Sequence, residues 1–274
     1  MSLFTIDPEK CNRDGLCQAV CPARIIILPE HDGLPEPIPE ADALCLNCGH
    51  CLAVCPTGAL TLAAMNLEDC PPLRREWLPG PEQTEHFLRA RRSIRNYKPR
   101  PVPRELLERL IHSARFAPSG SNSQPVHWLV IEHRAEVEGL AALVIDWMRF
   151  MMSEHPELLS GRRFDRLIAA WEQGEDRIFR GAPHIIVAHA PQNDMSAQTA
   201  CQIALTYLEL AAMSLNLGAC WAGYFKAAAQ GFPPMLQALA LPDGHQCAGA
   251  MMVGYPKFSY HRLPLRNEPR IVWR

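Results

Sequence analysis

Four of the eleven cysteines in this chain of 274 residues stand in a single run, Cys45-x2-Cys48-x2-Cys51-x3-Cys55-Pro56, and no other feature narrows the fold as much. Three thiolates this close together can wrap three corners of one iron–sulfur cubane. The fourth, one turn further on and followed by proline, is aimed at a different cluster. A structural zinc site needs only four ligands, usually as two separated pairs, and does not call for so dense a run. A second cluster needs ligands of its own, and Cys11-x5-Cys17-x3-Cys21-Pro22 supplies three of them.

Laid over the later run, the earlier one keeps Cys11, Cys17 and Cys21 in place, but Asp14 occupies the second slot. Crossed ligation gives one [4Fe–4S] cluster Cys45, Cys48, Cys51 and Cys21. The other receives Cys11, Cys17 and Cys55, with Asp14 as the candidate fourth ligand. A carboxylate is a hard ligand for a metal that prefers thiolate, so this second centre is a [4Fe–4S] cluster with one Asp corner or a [3Fe–4S] cluster. Asp14 before Gly15 also reads as a plain turn residue making no bond to iron, and both readings stand. The paired runs resemble a bacterial-type two-cluster ferredoxin. Residues 1–65 are therefore expected to form a small ferredoxin-like 2[4Fe–4S] domain. Cys201 and Cys247 read as core thiols within apolar segments, and Cys70 has no assigned role.

The charge distribution supports two modules. Residues 1–65 carry a net −5 and residues 66–274 a net +3, for −2 overall. That balance gives no reason to expect nucleic acid or a membrane surface as partner. Apolar residues make up 48% of the chain, ample for a core, yet no uninterrupted run approaches the ~18 residues of a spanning helix. The first residues show no charged region followed by an apolar one, so a signal peptide is not expected and a cytoplasmic location is.

Residues 66–85, with Pro71-Pro72 and Pro79-Gly80-Pro81, have the composition of a linker. Beyond them, Leu106, Leu107, Leu110, Ile111 and Ala114 recur at helical spacing after Pro103. Strands are predicted near 126–131, 182–188 and 248–254, with a further short one at 24–28. A long helix is predicted over roughly 196–217, apolar on most sides, with Gly218 as its C-cap. Residues 135–180 show no readable motif.

Two polar segments carry the chemistry of the larger part. Arg91-Arg92-Ser93-Ile94-Arg95-Asn96-Tyr97 gathers guanidiniums around a small hydroxyl, a planar multidentate partner for phosphate. About 20 residues on, Ala117-Pro118-Ser119-Gly120-Ser121-Asn122-Ser123-Gln124-Pro125 offers backbone N–H groups and side-chain amides to a flat heterocycle. Alone, each is commonplace. Followed in order by Leu217-Gly218-Ala219-Cys220-Trp221-Ala222-Gly223-Tyr224-Phe225, Val253-Gly254-Tyr255-Pro256 and Arg262-Leu263-Pro264-Leu265-Arg266-Asn267, they resemble the nitroreductase family of FMN-dependent enzymes over roughly residues 86–274.

The resemblance implies an α+β fold for 86–274, a mixed or antiparallel sheet flanked by helices, and a homodimer with FMN at its two-fold interface. It implies that Arg91, Arg92, Ser93 and Arg95 contact the ribityl phosphate and that Arg266 and Asn267 close on it. Pro118, Ser119, Gly120 and Asn122 would reach the partner subunit's flavin, and the helix over 196–217 would join the dimer core. Trp221, Ala222 and Gly223 would line the ring, and residues 135–180 would lie over it. No protein acid or base is assigned. No G-x-G-x-x-G follows a strand, so no Rossmann nicotinamide site is expected, although NAD(P)H binding over the flavin stays open beside reduced ferredoxin as donor. The leading reading is an oxidoreductase passing electrons through two clusters to FMN and on to a small organic acceptor. The alternatives are a relay between protein partners and an enzyme that degrades its own flavin.

Overall fold

The computed structural model describes residues 3–29, 33–159 and 161–274. The chain divides into two units, Met1–Pro79 with Ser121–Ser123, and Gly80–Gly120 with Gln124–Arg274.

The first unit is short on regular structure. Its strands are β1 (Phe4–Ile6), β2 (Ile26–Ile27), β3 (Glu36–Pro37) and β4 (Leu60–Leu62), and its helices are α1 (Leu16–Val20), α2 (Ala41–Leu44) and α3 (His50–Val54). Strand β1 pairs antiparallel with β4, and β2 with β3. Of the strand predicted at 24–28, only Ile26 and Ile27 join a ladder, and Arg24 turns to φ 54°. The core is small, centred on Phe4, Ile25, Ile26, Leu52, Leu60 and Leu62, with Cys17 and Cys51 buried in it.

The backbone shows an internal duplication that pairs the two cysteine runs. Helix α1 starts after Gly15 at φ 70°, ψ 4°, and α3 after Gly49 at φ 71°, ψ 4°. Both N-caps are left-handed, a conformation that glycine adopts without steric cost. The helices end on Cys21 and Cys55, at φ −68° and −67°, each with ψ 113°.

The second unit is a four-stranded sheet between helices. Helix α4 (Pro81–Ala90), which begins inside the expected linker, and α5 (Arg104–Ala114) precede β5 (His127–Ile131). Then come α6 (Arg134–Glu154), α7 (Phe164–Glu172), β6 (His184–Pro191), α8 (Ala197–Ser214), β7 (Gly218–Trp221), α9 (Gly223–Ala228), α10 (Pro233–Leu239) and β8 (His245–Gly254). The strand order is β5-β6-β8-β7, and every pair is antiparallel. One face packs on α5 and α8 through Leu110, Leu205, Leu208 and Met251. The other packs on α6, α9 and α10 through Val144, Met148, Phe225 and Met235. Covered on both faces, β6 is buried from His184 to Ala190, which is why Ile185-Ile186-Val187-Ala188 is continuous rather than alternating.

Two expectations are corrected. Residues 135–180, read as unpatterned, contain the 21-residue α6. Its buried positions Val137, Leu140, Ala141, Val144, Ile145 and Met148 follow an ordinary amphipathic spacing, obscured by the large side chains beyond it. Gly218 is not a C-cap. Helix α8 ends at Ser214, and Asn216 takes the left-handed turn at φ 56°. Gly218 opens β7, where an added Cβ would lie 2.5–2.8 Å from Ile94 carbons. It is glycine for want of space. Helix α8 buries Cys201, Leu205, Leu208 and Ala212 within its own unit, so its apolar character needs no second subunit to account for it.

Candidate functional site

In the first unit, Cys21, Cys45, Cys48 and Cys51 line one apolar cavity with Phe4, Ile25 and Leu62. These are the four thiols that crossed ligation assigns to a single cluster. Cys51 is pushed up to about 11 by burial, with Cys21 and Cys48 adding to the rise. Burial likewise raises Cys17, with contributions from Cys11 and Asp14, so those three side chains form the neighbourhood of the other centre. Backbone N–H groups already point at sulfur: Asn47 N donates to Cys45 Sγ at 3.4 Å and Ala59 N to Cys55 Sγ at 3.3 Å. Bonds of this kind stabilise thiolates and tune clusters. Asp14 Oδ1 accepts the N–H of Leu16 at 3.1 Å, a turn-type contact made in the backbone slot that Cys48 fills in the other half. The donor set fits iron–sulfur clusters.

Ser121, Asn122 and Gln124 all adopt left-handed φ, at 49°, 54° and 48°. Ser121–Ser123 group with the first unit, and there the Asn122 amide donates to the carbonyls of Leu46 and Asn47, each at 3.0 Å.

The second unit sorts the remaining predicted residues into separate places. The stretch from Arg91 to Tyr97 runs beside the sheet. Ile94 N donates to Ala219 O at 3.0 Å, and the buried Tyr97 hydroxyl donates to Ile94 O at 2.7 Å. Arg91 and Arg92 line a cleft of about 510 Å3 with Lys98, Asn216 and Lys257. Arg91 Nη1 also reaches Ser93 Oγ at 3.3 Å and Glu209 Oε1 at 2.8 Å. Arg95 lines another cleft, of about 530 Å3, with Trp221, Ala222 and Gly223. The Trp221 ring is given room by Gly249, where a Cβ would meet Cζ3 at 2.8 Å.

Pro118 and Ser119 line a smaller cavity of about 100 Å3 with Arg115 and Trp128. Ser119 Oγ accepts the N–H of Gln124 at 2.9 Å, and Gly120 packs close to Ser196. Arg266 and Asn267 sit in the exposed, irregular stretch after β8 and line none of these cavities. The two larger clefts are basic and flank one short strand. That fits a ligand with a phosphate at one end and a flat ring system at the other.

Sequence reasoning missed several residues. Glu209 is the buried carboxylate of α8, and its signal was a lone acid on an otherwise apolar helix face. Arg162, Arg177 and Arg180 lie in the same cleft as Arg95. Three histidines also converge from three strands. His189 Nδ1 is 2.9 Å from His245 Nδ1, and the His127 ring centroid lies 4.8 Å from that of His245. Burial, aided by those two neighbours, lowers His189 to about 4. Only strand pairing brings these positions together. Among the described residues, no helix is long and apolar enough to cross a membrane.

The nitroreductase family model matches residues 88–255, and a 4Fe–4S dicluster domain model matches residues 9–60. Two archaeal proteins, each described as a putative NADH dehydrogenase/NAD(P)H nitroreductase, are similar at 26% identity. The one from Methanothermobacter thermautotrophicus aligns over 50% of this chain and 59% of its own length. The one from Archaeoglobus fulgidus aligns over 64% and 87%. The chain thus spans less than two thirds of the first of these relatives. Among solved structures, a nitroreductase with bound FMN from Desulfitobacterium hafniense is 25% identical, with a TM-score of 0.53, covering 68% of this chain and 94% of that one. The chain belongs to the nitroreductase family of FMN-dependent oxidoreductases, and it carries a 4Fe–4S dicluster domain ahead of the family's fold.

Proposed function

We propose that the protein reduces a small organic acceptor at an FMN site supplied with electrons through two iron–sulfur clusters. The observation that carries this reading is the joining, in one chain, of a thiol-lined cavity to a unit with two basic clefts flanking β7. When bound, such clusters exchange single electrons and FMN exchanges one or two, so the pair can link one-electron donors to two-electron products.

The protein's own part is binding and electrostatics. Cys45, Cys48, Cys51 and Cys21 hold one cluster; Cys11, Cys17 and Cys55 hold the other, with Asp14 in its fourth slot. Arg91, Arg92 and Ser93 receive the FMN phosphate, with Lys98 and Lys257 adding positive charge to that cleft. Arg95, expected with Arg91, Arg92 and Ser93 at the phosphate, lies instead in the cleft of Trp221–Gly223, and with that stretch it holds the ring. Pro118, Ser119, Gly120 and Asn122 serve the partner subunit's flavin in a homodimer, and Arg266 and Asn267 close the phosphate site from the chain end.

The test is anaerobic. Purified protein is assayed for iron and FMN, then mixed separately with NAD(P)H and with reduced ferredoxin while flavin and cluster absorbance are followed. Reduction by ferredoxin, with cluster bleaching ahead of flavin bleaching, is the expected result. Rapid flavin reduction by NAD(P)H that leaves the clusters oxidised would reverse the assigned order. Failure of any soluble acceptor to reoxidise the reduced protein would leave it a relay.

A further inference from the structure

The cleft that holds Arg95 and Trp221 also carries Arg162, Arg177 and Arg180. Among the described residues, no carboxylate lines it. Arg177 is engaged with Glu175 at 2.6 Å, but none of the ion pairs among the described residues involves Arg95, Arg162 or Arg180. Arg95 and Arg180 both act on Tyr97 and Cys220, as does the carboxylate of Glu209, which is itself bonded to Arg91.

Arg180 is held in the cleft by construction. Its backbone is left-handed at φ 59°, an unfavourable conformation for a side chain of this kind. The turn is clamped by Asp176, whose carboxylate accepts the N–H groups of Ile178, Phe179 and Gly181 at 2.8, 2.9 and 2.9 Å. Phe179 is buried beneath it against Phe225. A strained turn fixed at three points presents a cation to a cleft with an aromatic wall of Trp221 and Tyr224.

Glu175 offsets Arg177 and also feels the charge of Arg180, so the cleft gathers more positive charge than this one carboxylate balances, and like charges repel most strongly where a ligand excludes water. On the function proposed above, Arg95 serves the flavin and the phosphate lies with Arg91 and Arg92. Arg162 and Arg180 are left with no flavin group of opposite charge. We infer that the acceptor is anionic: a small aromatic molecule whose carboxylate is received by Arg180 and Arg162 while its ring lies along the Trp221 side of the cleft. A guanidinium matches a carboxylate with two parallel hydrogen bonds, which sets orientation as well as affinity.

The inference rests on the proposed FMN site, and its test is kept separate from turnover. Oxidised protein with its cofactors is titrated calorimetrically with 4-nitrobenzoate and with 4-nitrobenzamide, which share a shape and differ in charge. The acid is expected to bind roughly tenfold more tightly, and Arg180→Gln or Arg162→Gln to remove that difference while Arg180→Lys restores part of it. FMN content and circular dichroism of each variant show that the fold is retained. Equal binding of the two compounds, or a preference that survives both Gln variants, overturns the inference. Equal binding combined with a preference for NADPH over NADH, lost in Arg180→Gln, overturns it in favour of a donor phosphate. If the acid preference holds but no nitroarene reoxidises the reduced protein, the acceptor chemistry proposed above fails and the anion site stands.

Discussion

Glu209, inside α8 with only 7% of its side chain exposed, accepts a 2.8 Å hydrogen bond from Arg91 Nη1. A residue of the arginine-rich segment before α5 is thereby tied to the centre of the fold, 118 positions away in the chain. Glu209→Ala leaves a guanidinium that is largely withdrawn from water without its partner. The expected cost is about 2–4 kcal/mol, toward the lower side of values for fully buried pairs because Arg91 is 24% exposed. The urea midpoint measures the loss, and FMN content is expected to fall with it. A variant with an unchanged midpoint would show that the pair contributes nothing to stability.

At Gly218 the limit is steric. Gly218→Ala places a methyl group 2.5–2.8 Å from Cγ1, Cβ and Cγ2 of Ile94, and overpacking of this kind costs about 1–3 kcal/mol. Ile94→Ala in the same chain should recover part of that loss. A double variant no better than the sum of the singles would mean that the strain lies elsewhere.

Acid should weaken the fold through its buried histidines. Burial lowers His189 from 6.5 to about 4, with His245 and His127 facing it, and burial lowers His184 as well. Between about pH 6.5 and 4 the unfolded chain binds protons that folded His189 refuses. Its contribution is therefore complete above about pH 6.5 and is lost as the pH falls toward 4, by at most about 3 kcal/mol. Stability curves for wild type and His189→Gln, measured at pH 7, 5 and 4, should converge as the pH falls. Parallel curves would assign the acid limb to other groups.

Much of this was legible in the chain, and the reasons differ by element. The cysteine runs were readable because cluster ligation demands local spacing, and their repetition is what singles out Asp14 as the odd position. Helix α5 and strands β5, β6 and β8 followed from periodicity and apolar runs. Helix α6 did not, because the exposed Phe150 and Met152 and the half-buried Met151 blur its polar face near its C-terminal end. Gly218 was misread because a helix end and a close approach both call for glycine, and only the position of Ile94 decides between them. Arg180 and the histidine trio had no local signal at all. They meet through a turn clamped by Asp176 and through the register of β5, β6 and β8.

Position 14 gives the sharpest test of the iron chemistry. Asp14→Cys should yield a second four-iron cluster that survives purification and is visible by EPR after reduction. Spectra identical to wild type would dismiss Asp14 as a ligand.

The matched glycine caps of α1 and α3 make that experiment cleaner than most ligand exchanges. Gly15 and Gly49 differ by one degree in φ and not at all in ψ, so both loops are cast from the same mould. At these caps, then, the two halves differ in side chains rather than in backbone. A swap at position 14 exchanges a carboxylate that accepts the N–H of Leu16 for a thiol, with the sister loop of the same molecule as its internal control.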